Sequence, residues 1–181
     1  MKIKILVVGP LLTNCYLLIS KNGCLIIDPG GEAEKILKEI KKTKKKLKYI
    51  INTHGHPDHT FANEKIKDKT GAKVLIHEAE KSFVKFDAND FLKEGNEIKA
   101  GNIVLRVLHT PGHTKGSICL LGDNFVFTGD TLFKDGYGRT DLPGGSQKDI
   151  EESLDKLSKI LKPGTMVYPG HGGAFKYETI K

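Results

Sequence analysis

A chain of 181 residues, 38% of them hydrophobic, is long enough to bury one core and short for two, so a single domain over residues 1–181 is expected. The formal charge is +7, and no apolar run is long enough to span a bilayer or form a signal peptide, which weighs against a membrane role and points to a cytoplasmic protein. Three scattered cysteines, Cys15, Cys24 and Cys119, lie in or beside apolar runs and read as buried reduced thiols rather than as a disulfide framework.

In chain order, strands are expected over Lys2 to Val8, Cys15 to Ser20 and Cys24 to Ile27, with Lys21-Asn22-Gly23 as a turn. A helix follows from Glu32 to Lys42, with Ile36, Leu37 and Ile40 on one stripe. The lysine run from Lys41 to Lys48 ends it, where cations complement the helix dipole and remain solvated. That run lacks interleaved aromatic residues, which weighs against a nucleic-acid surface. A strand over Tyr49 to Asn52, a helix from Thr60 to Thr70 stopped by Gly71, a strand over Lys73 to Ile76 and a short helix from Glu78 to Val84 come next. Residues 87–100 read as a polar loop anchored by Phe91 and Leu92. Ile103 to Leu108 is a strand, and Ser117 to Leu121 with Phe125 to Phe127 forms a hairpin around Gly122-Asp123-Asn124. A glycine-rich loop from Gly136 to Gly145 precedes a helix capped by Ser146, with Ile150, Leu154, Leu157 and Leu161 on one face. Thr165 to Tyr168 is the last strand, and little is expected after it.

The chemistry is concentrated in Thr53-His54-Gly55-His56-Pro57-Asp58-His59, which places four metal-ligating side chains within six residues. In an extended segment His54, His56 and Asp58 would point one way and His59 the other, too many donors for one tetrahedral ion but suited to two neighbouring ions. Three later strands also run directly into a candidate ligand: His113, Asp130 and His171. Loops at one edge of a layered α/β structure converge, so these donors can meet. The set then divides into His54, His56 and His113 on one ion, Asp58, His59 and His171 on the other, with Asp130 bridging. His109 reads as a packed or supporting histidine, and His77 as a residue of the pocket or the surface. No G-x-S-x-G is present, and Ser117 reads as a strand or turn residue.

The His54-Gly55-His56-Pro57-Asp58-His59 signature, together with His113 in H-T-P-G-H-T, Asp130 in T-G-D-T-L-F and His171 in P-G-H, resembles the metallo-β-lactamase superfamily over nearly the whole chain. The resemblance implies an α/β fold, a four-layer αβ/βα sandwich of two mixed β-sheets flanked by helices, with the metals at one edge. Thr128 to Phe133 and Gly138 to Gly145 are most similar to the short branch of the glyoxalase II-like (hydroxyacylglutathione hydrolase-like) proteins. That similarity implies a thioester hydrolase holding two divalent ions, zinc first and iron or manganese as alternatives, with Asp58 orienting a metal-bridging hydroxide as nucleophile. Lys134, Tyr137 and Arg139, which follow the bridging aspartate, are the candidate contacts for a small anionic substrate.

Two departures bear on the substrate. Glyoxalase II itself carries a helical C-terminal extension and a tyrosine that help bind glutathione. Here ten residues follow His171 and the equivalent loop reads Arg139-Thr140-Asp141, so the hydrolytic centre carries over and glutathione recognition does not. Two other readings exist within the superfamily. One is a mononuclear iron persulfide dioxygenase using His56, His113 and Asp130. The other is a nuclease or nucleic-acid-binding member, supported by the net charge.

Overall fold

In the computed structural model, which describes residues 1–178, two mixed six-stranded sheets face each other. The first is built from β1 (Lys2–Val8), β2 (Thr13–Ser20), β3 (Gly23–Ile27), β4 (Leu47–Ile51), β5 (Lys73–His77) and β6 (Asp90–Leu92), side by side in chain order. The second is built in the same way from β7 (Glu97–Ala100), β8 (Ile103–His109), β9 (Ile118–Leu121), β10 (Phe125–Gly129), β11 (Met166–Pro169) and β12 (Phe175–Lys176). Helices α1 (Ala33–Lys42), α2 (Pro57–Thr60) and α3 (Asn63–Thr70) lie in the first half, and α4 (Gln147–Ile160) in the second. No helix among the described residues is long and apolar enough to cross a membrane.

The layering follows from strands that are apolar on both faces. On β2, Cys15 and Leu17 pack with Ile36 and Ile40 of α1 and Ile66 of α3, whereas the alternate residues Tyr16 and Leu18 pack with Leu105, Val107 and Phe127 of the other sheet. On β4, Ile50 joins the helix side and Ile51 the inter-sheet core. A period of two with both faces buried requires a layer on each side. Leu157 and Leu161 supply the fourth layer, against Leu108, Cys119, Val126 and Val167. Each fully buried aliphatic side chain contributes about 1.5–3 kcal/mol, so the inter-sheet layer and the layer under α1 and α3 both contribute heavily to stability. The three cysteines are buried and unpaired, as expected.

Strand direction carries the functional loops to one edge. Strands β3 to β6 run parallel, so the ends of β3 and β4 share an edge of the first sheet. In the second sheet β8 and β10 are both antiparallel to β9, and β11 is parallel to β10, so β8, β10 and β11 all finish at the same edge. The lysine run lies at the start of β4, and the histidine stretch follows its end. Five residues at about 3.3 Å each separate the two by roughly 16 Å.

Four expectations are corrected. Residues 87–100 hold two edge strands, β6 and β7, because Ile98 and Ala100 are buried between exposed Glu97 and Lys99, an alternation short enough to pass for loop. The helix expected from Thr60 begins at Pro57, whose fixed φ suits a first helical position, and breaks at Phe61 and Ala62 before α3. The helix expected over Glu78 to Val84 is a single 3₁₀ turn, Glu78–Glu80. A further strand, β12, follows His171 and pairs with β11.

Ser146 caps α4 as expected, its Oγ accepting from the Asp149 amide at 3.2 Å. The Ser146 amide in turn donates to Gly112 O at 2.8 Å, tying the helix start to the loop that carries His113. Ser146→Ala is expected to lower unfolding free energy by about 1 kcal/mol, read as a shifted urea midpoint at unchanged slope.

Candidate metal centre

The histidine stretch does not stay extended. His56 has φ −64° and ψ 146° and stands at the N-cap of α2, so Asp58 and His59 are presented by a helical turn rather than by strand alternation. The outcome still separates the donors into groups. The ligating atoms of His54, His56 and His113 lie within 4.8 Å of one another, and so do those of Asp58, His59 and His171. His54, His59 and Asp130 form a third such group that overlaps both. The Asp130 carboxylate lies between the two sets, with Oδ1 3.4 Å from His59 Nε2 and Oδ2 3.6 Å from His113 Nε2 and 3.5 Å from His171 Nε2. Gly170 makes that approach possible, since a Cβ there would lie 2.1 Å from Asp130 Oδ1.

Three of the five histidines have their Nδ1 hydrogen-bonded to a supporting group, and a fourth, His59, has its Nδ1 beside a carboxylate. His113 Nδ1 donates to Arg139 O at 2.8 Å, and His171 Nδ1 to Leu11 O at 3.0 Å. His59 Nδ1 faces Asp28 Oδ2 at 3.0 Å, and His54 Nδ1 lies 3.1 Å from Thr53 Oγ1. Anchoring one ring nitrogen fixes the tautomer and directs Nε2 into the cluster, the usual arrangement around ligating histidines. His56 is turned the other way, its Nδ1 2.9 Å from His113 Nε2. Asp58 is held by Thr13 Oγ1, which donates to its Oδ2 at 3.1 Å.

The donor set fits divalent ions on two observations. His54 Nε2 and Asp130 Oδ1 are buried without a hydrogen-bond partner, an arrangement that costs free energy unless something else satisfies them. The protonation states also divide. Burial, followed by the charge of His59 and His113, holds His54 well below the ordinary imidazole range, and burial followed by His113 brings His56 down to about 4. Both are neutral at physiological pH, the form that ligates. On the other side, hydrogen bonds to Asp130 and Asp58 raise His171 to about 10. Burial pushes Asp58 and Asp130 upward, but the surrounding imidazoles outweigh it and both carboxyls are lowered. A pair of cations here would replace the protons that balance these carboxylates in the metal-free chain.

The three candidate substrate residues behave differently from one another. The exposed Arg139 guanidinium is engaged by Asp141 at 2.8 and 2.7 Å, and its backbone carbonyl is the part that meets the centre, through His113. Tyr137 accepts from Gln147 Nε2 at 3.0 Å. Lys134 and Tyr137 line a cavity of about 570 Å³ with Phe133, Leu154, Phe175 and Tyr177, and the Phe133 ring stands 6.4 Å from that of His171. His77 and His109 belong to none of the three donor groups. Their rings stack at 4.1 Å, and His109 Nε2 lies 2.9 Å from Lys115 O, so His109 is a packed histidine, as read.

Two residues near the donors gave no sequence signal. Asp28, in what reads as a strand-closing turn, is 1% exposed and accepts from Thr53 N and Thr53 Oγ1 at 2.8 and 2.7 Å while facing His59. Glu80, in what reads as an ordinary helix, is 1% exposed and binds two loop amides. The glycines beside the donors act in two ways. Gly112 and Gly129 have positive φ, whereas Gly55 and Gly170 leave room for a neighbouring carboxylate.

Comparison with known proteins gives a consistent picture. The family described as "Metallo-beta-lactamase superfamily" matches residues 8–171. The "Probable metallo-hydrolase YqgX" of Bacillus subtilis (strain 168) is 37% identical over 95% of this chain and 90% of its own length. The "Probable polyketide biosynthesis zinc-dependent hydrolase BaeB" of Bacillus velezensis is 32% identical over 87% of this chain and 72% of its own. Among solved structures, that of TTHA1623 in a di-iron-bound form superposes with a TM-score of 0.86 at 31% identity, covering 96% of this chain and 94% of the other.

Proposed function

Since the chain belongs to the metallo-β-lactamase superfamily, we propose that it is a binuclear metal-dependent hydrolase of a small anionic thioester, close in chemistry to the glyoxalase II-like branch. The observation that carries this reading is the position of the Asp130 carboxylate, within 3.6 Å of imidazole nitrogens from both donor groups. Divalent ions held by the seven donors would activate water at neutral pH and polarise a carbonyl. Zinc is the first choice and iron the second, in line with the zinc-dependent relative and the di-iron structure.

The chain's own groups then have separate tasks. Asp58, braced by Thr13, offers a carboxylate at the mouth of the second donor group to orient the attacking water. Leu11 O and Arg139 O keep His171 and His113 turned inward. A thioester suits the site because a leaving thiolate, with a pKa near 8.5, needs little help from a general acid, and no histidine of the centre is free to act as one. The cavity lined by Phe133, whose ring is 6.4 Å from that of His171, would take the rest of the substrate, with the Lys134 ammonium for its anionic end and the Tyr137 ring for apolar contact. Arg139, already paired, would have to leave Asp141 to reach a substrate.

The test is a hydrolysis panel on zinc- and iron-loaded protein: glutathione and coenzyme A thioesters, lactones, β-lactams and phosphodiesters. Thioesters are expected to lead, with a high KM for glutathione esters. Lys134→Ala should raise KM by about tenfold with kcat little changed, because a remote anion contact supplies uniform binding; Arg139→Ala should do less. Phosphodiester cleavage without thioester turnover would overturn the assignment while leaving the metal centre standing. A persulfide dioxygenase is the second reading, favoured by iron in a related structure. Oxygen uptake with glutathione persulfide, dependent on iron and absent with zinc, would put it first.

A further inference from the structure

One buried acid lies outside the seven-donor set yet touches both loops that carry the three-histidine group. Glu80 ends the 3₁₀ turn after β5 and is 1% exposed. Its Oε2 accepts from the Gly55 amide at 2.9 Å and its Oε1 from the Gly116 amide at 2.7 Å. Gly55 separates His54 from His56, and Gly116 follows His113 by three residues. A single carboxylate therefore fastens the first ligand loop to the second across 25 and 36 residues of sequence.

Both contacts depend on glycine. A Cβ at position 55 would lie 2.5 Å from Glu80 Oε2, and one at position 116 would lie 2.5 Å from Glu80 Cγ. A backbone bond from Ile118 N to Thr53 O, 2.9 Å, joins the same loops on the strand side of the donors. Glu80 acts nearer the histidines, where a small change in loop separation moves His113 relative to His54 and His56. The Asp58, His59 and His171 group is held by other partners: Thr13, Asp28 and Leu11.

We propose that Glu80 is a positioning residue that sets the distance between His113 and the His54–His56 pair, and so tunes ion binding at that position selectively. The proposal rests on the two-ion reading of the centre. Each Glu80 oxygen accepts from one amide, so no partial replacement is neutral. A glutamine in its place would keep the volume but turn an NH₂ toward one of the two donors, leaving a buried amide unpaired.

Zinc titration against a chromophoric chelator, with stripped protein, resolves the two binding steps, and His113→Ala identifies the three-histidine step by its loss. Wild type is expected to bind two ions. Glu80→Gln should weaken the three-histidine step by about 10- to 100-fold, the usual effect of losing an outer support, with the other step and the far-ultraviolet circular dichroism unchanged. Gly116→Ala, which pushes the carboxylate away, should weaken the same step, and adding it to Glu80→Ala should cost little more, because both changes remove one interaction. If wild type takes up fewer than two ions, the two-ion reading fails and this proposal with it. If wild type binds two and Glu80→Gln binds both as tightly, or loses both equally, only the positioning role is overturned. Should Glu80→Gln not fold, Gly116→Ala decides alone, and failure of both to fold would make Glu80 a folding element instead.

Discussion

Replacing Asp130 by asparagine is expected to lower turnover of the best substrate by about a thousandfold, equivalent to about 4 kcal/mol of barrier, and to reduce bound metal from near two ions toward one or none. Asparagine keeps the shape of the side chain but removes its charge and turns one oxygen into an NH₂ that cannot ligate. The lost oxygen would be either the buried Oδ1, unpartnered and 3.4 Å from His59, or the Oδ2 that faces His113 and His171. No other carboxylate in the centre is within reach of both donor groups, so nothing compensates. The control is His109→Gln, four residues from His113 in sequence but stacked on His77; its effect on metal content and turnover should be far smaller. Elemental analysis, steady-state kinetics and circular dichroism on both variants check this, and equal damage in two folded proteins would refute one of the two assignments.

Stripping the metal is expected to abolish hydrolysis and to lower the thermal midpoint by roughly 8–16 °C for each ion removed. An ion bound only by the folded state, at a free concentration about a thousand times its Kd, stabilises by about 4.1 kcal/mol, and a chain of this size moves about 2–4 °C per kcal/mol. The structure supplies the reason for that sensitivity. Without a cation His54 Nε2 and Asp130 Oδ1 are buried with no partner, and Asp58 and Asp130 rely on the protonated His171 for balance. The stripped chain should nevertheless stay folded, because the layers around Leu17, Leu18, Leu25 and Ile50 take no part in the centre. Calorimetry with chelator, then with zinc restored, measures the difference. A midpoint that does not move with metal would remove the basis for a resident ion.

Much of the molecule was legible because its signals are local. The dense run of donors from His54 to His59, the strand before each later donor, the Ser146 cap and the stripe of Ile150, Leu157 and Leu161 are each written within a few residues. Local physics of that kind needs no tertiary contact to be read. Strand alternation failed just where Pro57 starts a helical turn, and β6 and β7 were missed because edge strands this short are half polar and resemble loop. What only the tertiary structure decided is which ordinary residues support the donors. Asp28, Glu80 and the carbonyl of Arg139 carry no motif, and the Arg139 side chain, a candidate substrate contact by sequence, is tied to Asp141. Their roles arise from proximity across 25 to 36 residues of chain, created when strands of two sheets end at one edge. Residue type states what a group can donate or accept, and only the packed sheets state what it meets.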